Sequence, residues 1–394
     1  MKRISELEAI TLADHAMDSG VIGDHLHSYP LCCNSTSNVV HSNGANQSAD
    51  VVEMPFYLLF YVSVLNGAIF LVGVAGNVMV IQVITRMKAM RSRMYYFLMS
   101  LSVADLLVLA ICQPSAMLEF FGQDRWLIGE AMCKLVPFLE HASLHSSVLT
   151  LLVIGMERYY AICRPLSDKR KCLMSNTAVC VACVWLSAFI MSLPFIFMTS
   201  MEDADYFDGS AVKVCRTKMK TTLPRLYVVL MFCLFFILPM CMLTFMYASI
   251  IKKLFRLNHE MSPGDNSNVK AIHSRKQVVR MMVSIVILFF VSLLPIRIVG
   301  LWLVFSPATT IESMGMEFYF NILSMSRILA YINSAGNPII YGLISTKFRS
   351  AFSRSMPSCK TQTERRGSFT PRTGSPPRFP PEVQNQIQLC NLRR

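Results

Sequence analysis

Charge is scarce in this sequence: Asp, Glu, Lys and Arg make up 15% of its 394 residues, against about 25% in an ordinary soluble domain. With 53% hydrophobic residues the mean hydropathy reaches +0.45, which excludes a soluble enzyme and demands a non-aqueous environment. Acids are in short supply too, 24 against 37 Lys and Arg, leaving a formal charge of +13. In a soluble chain that excess would suggest nucleic acid. Here the bases cluster between apolar runs and in the tail, which points to a cytoplasmic membrane face and away from DNA. The 13 cysteines lack both a metal-ligand spacing and a small disulfide framework. Cys112, Cys180, Cys183, Cys233 and Cys241 lie inside apolar runs, where thiols act as small hydrophobes. Missing as well are the internal duplication with paired broken helices that a transporter would show, and any loop suited to a channel filter.

What is present is a series of apolar segments: Phe56 to Ile84, Tyr96 to Phe121, Met132 to Ile162, Thr177 to Met198, Leu223 to Ile251, Val278 to Phe305 and Phe318 to Ile344. Each is long enough to cross a bilayer as a helix, at roughly 20 residues per crossing. The expectation is an all-α membrane protein, a seven-transmembrane helix bundle over 54–345. Bases in the first connection (Arg86, Lys88, Arg91, Arg93), after the third segment (Arg164, Lys169, Arg170, Lys171) and around the loop after the fifth (Lys252, Lys253, Arg256, Lys270, Arg275, Lys276, Arg280) place those loops in the cytoplasm. The N-terminus is then outside. The polar tail 1–53 reads as a disordered extracellular segment; its opening MKRISELEAI lacks the apolar core of a signal peptide. It carries two glycosylation sequons at Asn34 and Asn46, usable only if it faces the secretory lumen. At the other end, 346–359 reads as an amphipathic helix lying on membrane lipid, with Phe348 and Phe352 four apart among Lys347, Arg349 and Arg354. Cys359 follows as a palmitoylation candidate, and 360–394 reads as a disordered cytoplasmic tail.

Inside the helices stand isolated polar residues at depths where charge is costly: Asn77, Asp105, Ser147, Asn333, Ser334 and Asn337. Two readings of Asp105 stand open, a protonated carboxyl satisfied by neighbouring amides and an ionised one holding a cation such as sodium. The neutral oxygens around it favour the cation, an allosteric modulator rather than an obligate cofactor. Glu157-Arg158-Tyr159 at the end of the third segment forms a self-neutralising pair that frees Arg158 when the helices part. Pro194, Pro239, Pro295 and Pro338 supply deformable points for rigid-body helix movement.

In this order, Gly76-Asn77, Leu101, Ala104 and Asp105, Cys133, Glu157-Arg158-Tyr159, Trp185, Pro239 with Tyr247, Phe289 with Pro295, and Asn337-Pro338 to Tyr341 resemble the rhodopsin-like family of G-protein-coupled receptors. The stretches SRKQVVRMM from Ser274 and SRILAYINSAGNPIIYGLISTKFRSAF from Ser326 are most similar to its peptide branch, nearest the receptors for thyrotropin-releasing hormone and further off those for ghrelin and neuromedin. The resemblance implies a disulfide from Cys133 to Cys215, and no enzymatic activity. It implies a peptide ligand at Arg297, Arg327, His141, His145 and Ile296, with Glu140 as counter-charge or ligand contact. Activation is implied to run through Glu157, Arg158, Tyr159, Tyr247, Asn337, Pro338 and Tyr341 to a heterotrimeric G protein of Gq class. The tail offers a basic-directed kinase site at Ser368 and proline-directed ones at Thr370 and Ser375, where phosphate would suit a basic partner such as an arrestin, and receptor kinases are further expected partners. Two departures from the family pattern stand out. Ser292-Leu293-Leu294-Pro295 lacks the usual tryptophan, and Arg275 replaces an acid that some relatives pair with the arginine corresponding to Arg158. The alternative from another class is a transporter or scaffold in a receptor-like bundle.

Overall fold

The computed structural model describes residues 54–87, 90, 92–165, 176–205, 211–219, 221–259, 266–307, 310 and 316–355. Asn34, Asn46, Cys359, the tail phosphorylation candidates and the segments 1–53 and 360–394 lie outside the described residues.

Seven long helices form a ring: α1 (Phe56–Arg86), α2 (Arg93–Phe121), α3 (Glu130–Cys163), α4 (Thr177–Met198), α5 (Thr222–His259), α6 (Asn266–Phe305) and α7 (Met316–Ile344). A short α8 (Thr346–Ser355) follows. Most neighbours in sequence pack along their lengths, α4 meets α5 where Tyr227 donates to the Met191 carbonyl and touches Phe195, and α7 returns to close the ring on α1, while α3 touches α2, α4, α5 and α6 and so occupies the centre. Six of the helices are long and apolar enough to cross a membrane by length and composition. The helix outside that set is α7, whose apolar run is interrupted by Arg327, Asn333, Ser334 and Asn337; the packing explains why, since Asn333, Ser334 and Asn337 are buried in the bundle.

The bundle keeps its intramembrane polar side chains inside and presents apolar ones outside, as a membrane requires. Phe245, Val291 and Leu343 are 67%, 66% and 72% exposed, whereas Asn77 and Asp105 are 0% and 2% exposed. One large apolar cluster includes Tyr247, Met282, Ile285, Phe289, Leu293 and Tyr341. Leu293, two residues before Pro295, fills the place where the family has tryptophan. A methyl group at Gly76 would lie 2.8 Å from Cβ of Pro338, so α1 and α7 meet closer than any side chain permits.

Helix punctuation follows local chemistry. Asn176 caps α4 by accepting from the Ala178 amide at 3.0 Å. Gly129 starts α3 with φ of 85°, a conformation that a Cβ would strain. Pro114 and Pro239 each lack the amide that would continue the ladder, and each is preceded by a wide π turn, Val108–Cys112 in α2 and Cys233–Ile237 in α5. The extra residue in such a turn relieves the clash of a proline ring with the carbonyl four residues back.

The helical framework carries one element the sequence pattern does not announce, an antiparallel hairpin of β1 (Thr199–Asp205) and β2 (Ala211–Thr217). Asp203 stands opposite Lys213 in its register. The Trp126 amide donates to the Lys213 carbonyl at 2.7 Å, tying the hairpin to the α2–α3 connection.

Candidate functional site

Cys133 in the first turn of α3 is bonded to Cys215 of β2, with an S–S distance of 2.01 Å. Cys112, Trp126 and Val136 pack around it, and the Trp126 indole donates to the Gly129 carbonyl at 2.7 Å. The hairpin is thereby held over one end of the bundle, the end toward which the outer arginines lie.

Two arginines stand on adjacent helices there. Arg297 follows Pro295 in α6, and its Nε is buried without a hydrogen-bond partner. Arg327 of α7 donates from Nη1 to Glu119 Oε2 of α2 at 3.1 Å. Glu140 of α3 lies within electrostatic reach of both guanidinium groups, yet among the described residues it makes no ion pair or hydrogen bond. Two positive and two negative charges therefore face one another with a single pair closed. Glu119 was not among the residues singled out from the sequence. It is, with Asp105, one of two acids in the second apolar segment, and asking each intramembrane acid for its partner would have found it.

The two histidines of α3 face neighbouring helices. His141 Nδ1 lies 2.8 Å from the Pro137 carbonyl, and its ring stacks on Phe195 with centroids 3.6 Å apart. His145 is 1% exposed, 3.0 Å from Ser192 Oγ, and stacked on Phe235 at 3.9 Å. Both rings thus brace the walls formed with α4 and α5, with Arg297 within electrostatic reach. Ile296 packs against the main apolar cluster.

Midway along the bundle the buried polar residues meet. Asp105 Oδ2 accepts from Asn337 Nδ2 at 2.8 Å, and Ser334 lies beside its carboxyl. Asn77 Nδ2 donates to the Ser334 carbonyl at 3.0 Å. The amide oxygens of Asn77, Asn333 and Asn337 are buried without donors. The Asp105 carboxyl and the unclaimed amide oxygens of Asn77 and Asn337 are the donor type that a small hard cation of single charge takes; Ser147 is buried too, but no contact joins it to Asp105 among the described residues. Among the described residues no cluster of three His, Cys, Asp or Glu side chains that could hold a metal ion is present.

At the opposite end Arg158 Nη2 pairs with Glu157 Oε2 at 3.3 Å, and the Arg158 Nε is left unpartnered. Tyr247 is within electrostatic reach of Arg158. Tyr341, fully buried with its hydroxyl unpartnered, stacks on Phe348 of α8 at 5.2 Å. Tyr159 packs on the same core. Where Arg275 offers no acid, Gln277 of α6 fastens the helix instead: its Nε2 donates to the Ile344 carbonyl at 2.6 Å and lies 3.4 Å from Thr346 Oγ1. Lys276 donates to Asn258 of α5 at 2.8 Å. Gln277 and Lys276 lie in the stretch SRKQVVRMM, but their partners, a backbone carbonyl and the side-chain amide of Asn258 in α5, could not be read from it.

A seven-helix membrane bundle with a disulfide-pinned cover at one end and a latched, arginine-bearing mouth at the other is built as a receptor. The family model for the 7 transmembrane receptor (rhodopsin family) matches residues 76–341, and the chain belongs to that family. Its members are receptors and not enzymes. The chain is 29% identical over 339 residues to the QRFP-like peptide receptor of Branchiostoma floridae, covering 85% of this chain and 84% of that protein. It is 29% identical over 323 residues to a bombesin receptor of Bombina orientalis, covering 81% of each. It is 29% identical over 302 residues to the growth hormone secretagogue receptor type 1 of Mus musculus, covering 75% of this chain and 81% of that protein.

Proposed function

We propose that this protein is a plasma-membrane receptor for a small neuropeptide that carries a terminal carboxamide or carboxylate and is similar to thyrotropin-releasing hormone. Its N-terminus is outside and its C-terminus in the cytoplasm. The observation that carries this reading is the pair of arginines over the bundle, one with an unclaimed Nε and the other beside a cavity of about 120 Å³. A planar guanidinium suits a carbonyl, carboxamide or carboxylate presented edge-on. Ligand binding there draws α6 and α7 together about Pro295 and Pro338. The far ends then separate, Arg158 leaves Glu157 for Tyr247 and Tyr341, and the opened mouth admits a heterotrimeric G protein of Gq class, with calcium release. Sodium held by Asp105, Ser147, Asn333, Ser334 and Asn337 favours the resting state. Arrestin and receptor kinases act on the tail.

The names of the relatives, which are receptors for a QRFP-like peptide, a bombesin and a growth hormone secretagogue, favour a second reading, a receptor for a different peptide such as one of the ghrelin or neuromedin group expected from the sequence. The test is a calcium assay in transfected cells against a panel of amidated peptides and their free-acid forms. A response to thyrotropin-releasing hormone analogues supports the first reading, and a response confined to longer peptides supports the second. Ligand-dependent solute flux without nucleotide exchange on a G protein would overturn both.

A further inference from the structure

Glu119 has so far been only the partner of Arg327. It lies in the last turn of α2 beside Phe120 and Phe121, and the pair ties α2 to α7 with side chains 22% and 35% exposed. Both residues line the cavity of about 120 Å³ together with Asp124, Tyr319, Ser324 and Tyr331. A carboxylate seated on a guanidinium is what a ligand acceptor would itself become there, so the cavity already contains an imitation of its occupant.

We propose that Glu119 is an internal competitor of the ligand: its carboxylate holds Arg327 in the resting receptor, and a ligand acceptor must displace it. Residue 119 then decides which acceptors the site takes. This rests on the reading that the cavity between α2 and α7 belongs to the ligand site. A ligand carboxylate arriving at Arg327 would face Glu119 and, within electrostatic reach of the same guanidinium, Glu140, two charges of its own sign. A primary carboxamide meets neither difficulty. Its carbonyl oxygen accepts from Arg327 while its N–H donates to the displaced Glu119, so no half-buried charge is left without a partner. The chemical class selected is therefore a neutral carboxamide, with Glu119 as the residue that excludes the free acid.

Acetate serves as the probe, because it reproduces the missing carboxylate without any peptide. Purified full-length receptor is unfolded thermally in acetate and in chloride at matched ionic strength. Glu119→Ala should lower the midpoint by about 2–4 °C, the shift that loss of one such interaction produces in a chain of a few hundred residues. Acetate should restore it saturably, while wild type and the Glu119→Ala/Arg327→Ala double variant should respond no more to acetate than to chloride. Glu119→Gln, which keeps the side chain in place, should be lowered and not restored. Should Glu119→Ala not fold, Glu119→Ser opens the same space and is read identically. Equal stabilisation of wild type by acetate, or a folded alanine variant that ignores acetate, would overturn the proposal. A wild type that answers no peptide would count against the peptide-receptor reading alone, since the acetate arms need no agonist.

Discussion

The Gln277 contact offers a direct measure of what holds α6 closed. Gln277→Ala removes the 2.6 Å hydrogen bond to the Ile344 carbonyl and the weaker approach to Thr346. One neutral hydrogen bond contributes about 0.5–1.5 kcal/mol net. Gln277 and Ile344 are both half-buried, so water recovers part of the loss when the contact breaks. Every 1.4 kcal/mol is tenfold, so the population with α6 released should rise roughly 2–10-fold. Agonist-free nucleotide exchange on a heterotrimeric G protein, at matched receptor density, should rise in proportion. Because both partners are neutral, the increase should be the same at low and high salt, unlike that of an ionic latch. Gln277→Glu keeps the length of the side chain but cannot donate to a carbonyl, so its basal exchange should rise at least as far. Basal exchange equal to wild type in a normally expressed Gln277→Ala receptor would refute the reasoning.

Arg158→Ala should abolish ligand-stimulated nucleotide exchange while leaving surface expression intact, because among the described residues the one ion pair of its side chain is to Glu157; retained stimulation would sink the mechanism. Serine at Cys133 or at Cys215 should each lose ligand binding, and the double substitution should be no worse than either alone, since one bond is removed in all three. Sodium should suppress agonist-free exchange in wild type relative to a large organic cation at equal ionic strength, and Asp105→Asn should erase the difference; suppression that survives in Asp105→Asn would place the ion elsewhere. Lysine at Arg297 or Arg327 should weaken agonist potency roughly ten- to a hundredfold, the loss of a charged hydrogen bond of about 1.5–3 kcal/mol, in a dose-response assay. Full potency in both would exclude them from the ligand site.

The segment pattern alone determined the seven helices, because a bilayer leaves a chain few choices: every backbone polar group must be satisfied within a helix, and some 20 apolar residues are needed to cross. The same logic makes Asp105, Asn337 and the Glu157-Arg158 pair visible as residues in the wrong solvent. The pairing of Cys133 with Cys215 could be anticipated only through the family, since their separation of 82 residues contains no geometry of its own. Tertiary structure decided the partnerships. That Arg327 belongs to Glu119, with Glu140 left unbonded, depends on how the last turn of α2 stands against α7. That His145 rests on Ser192 and Phe235 depends on which way α3 turns between α4 and α5. The hairpin under the disulfide and the Gln277 latch escaped the sequence for a related reason. A backbone carbonyl is present at every position, so a bond to one leaves no residue type to recognise, and only the approach of two helices selects which carbonyl is met.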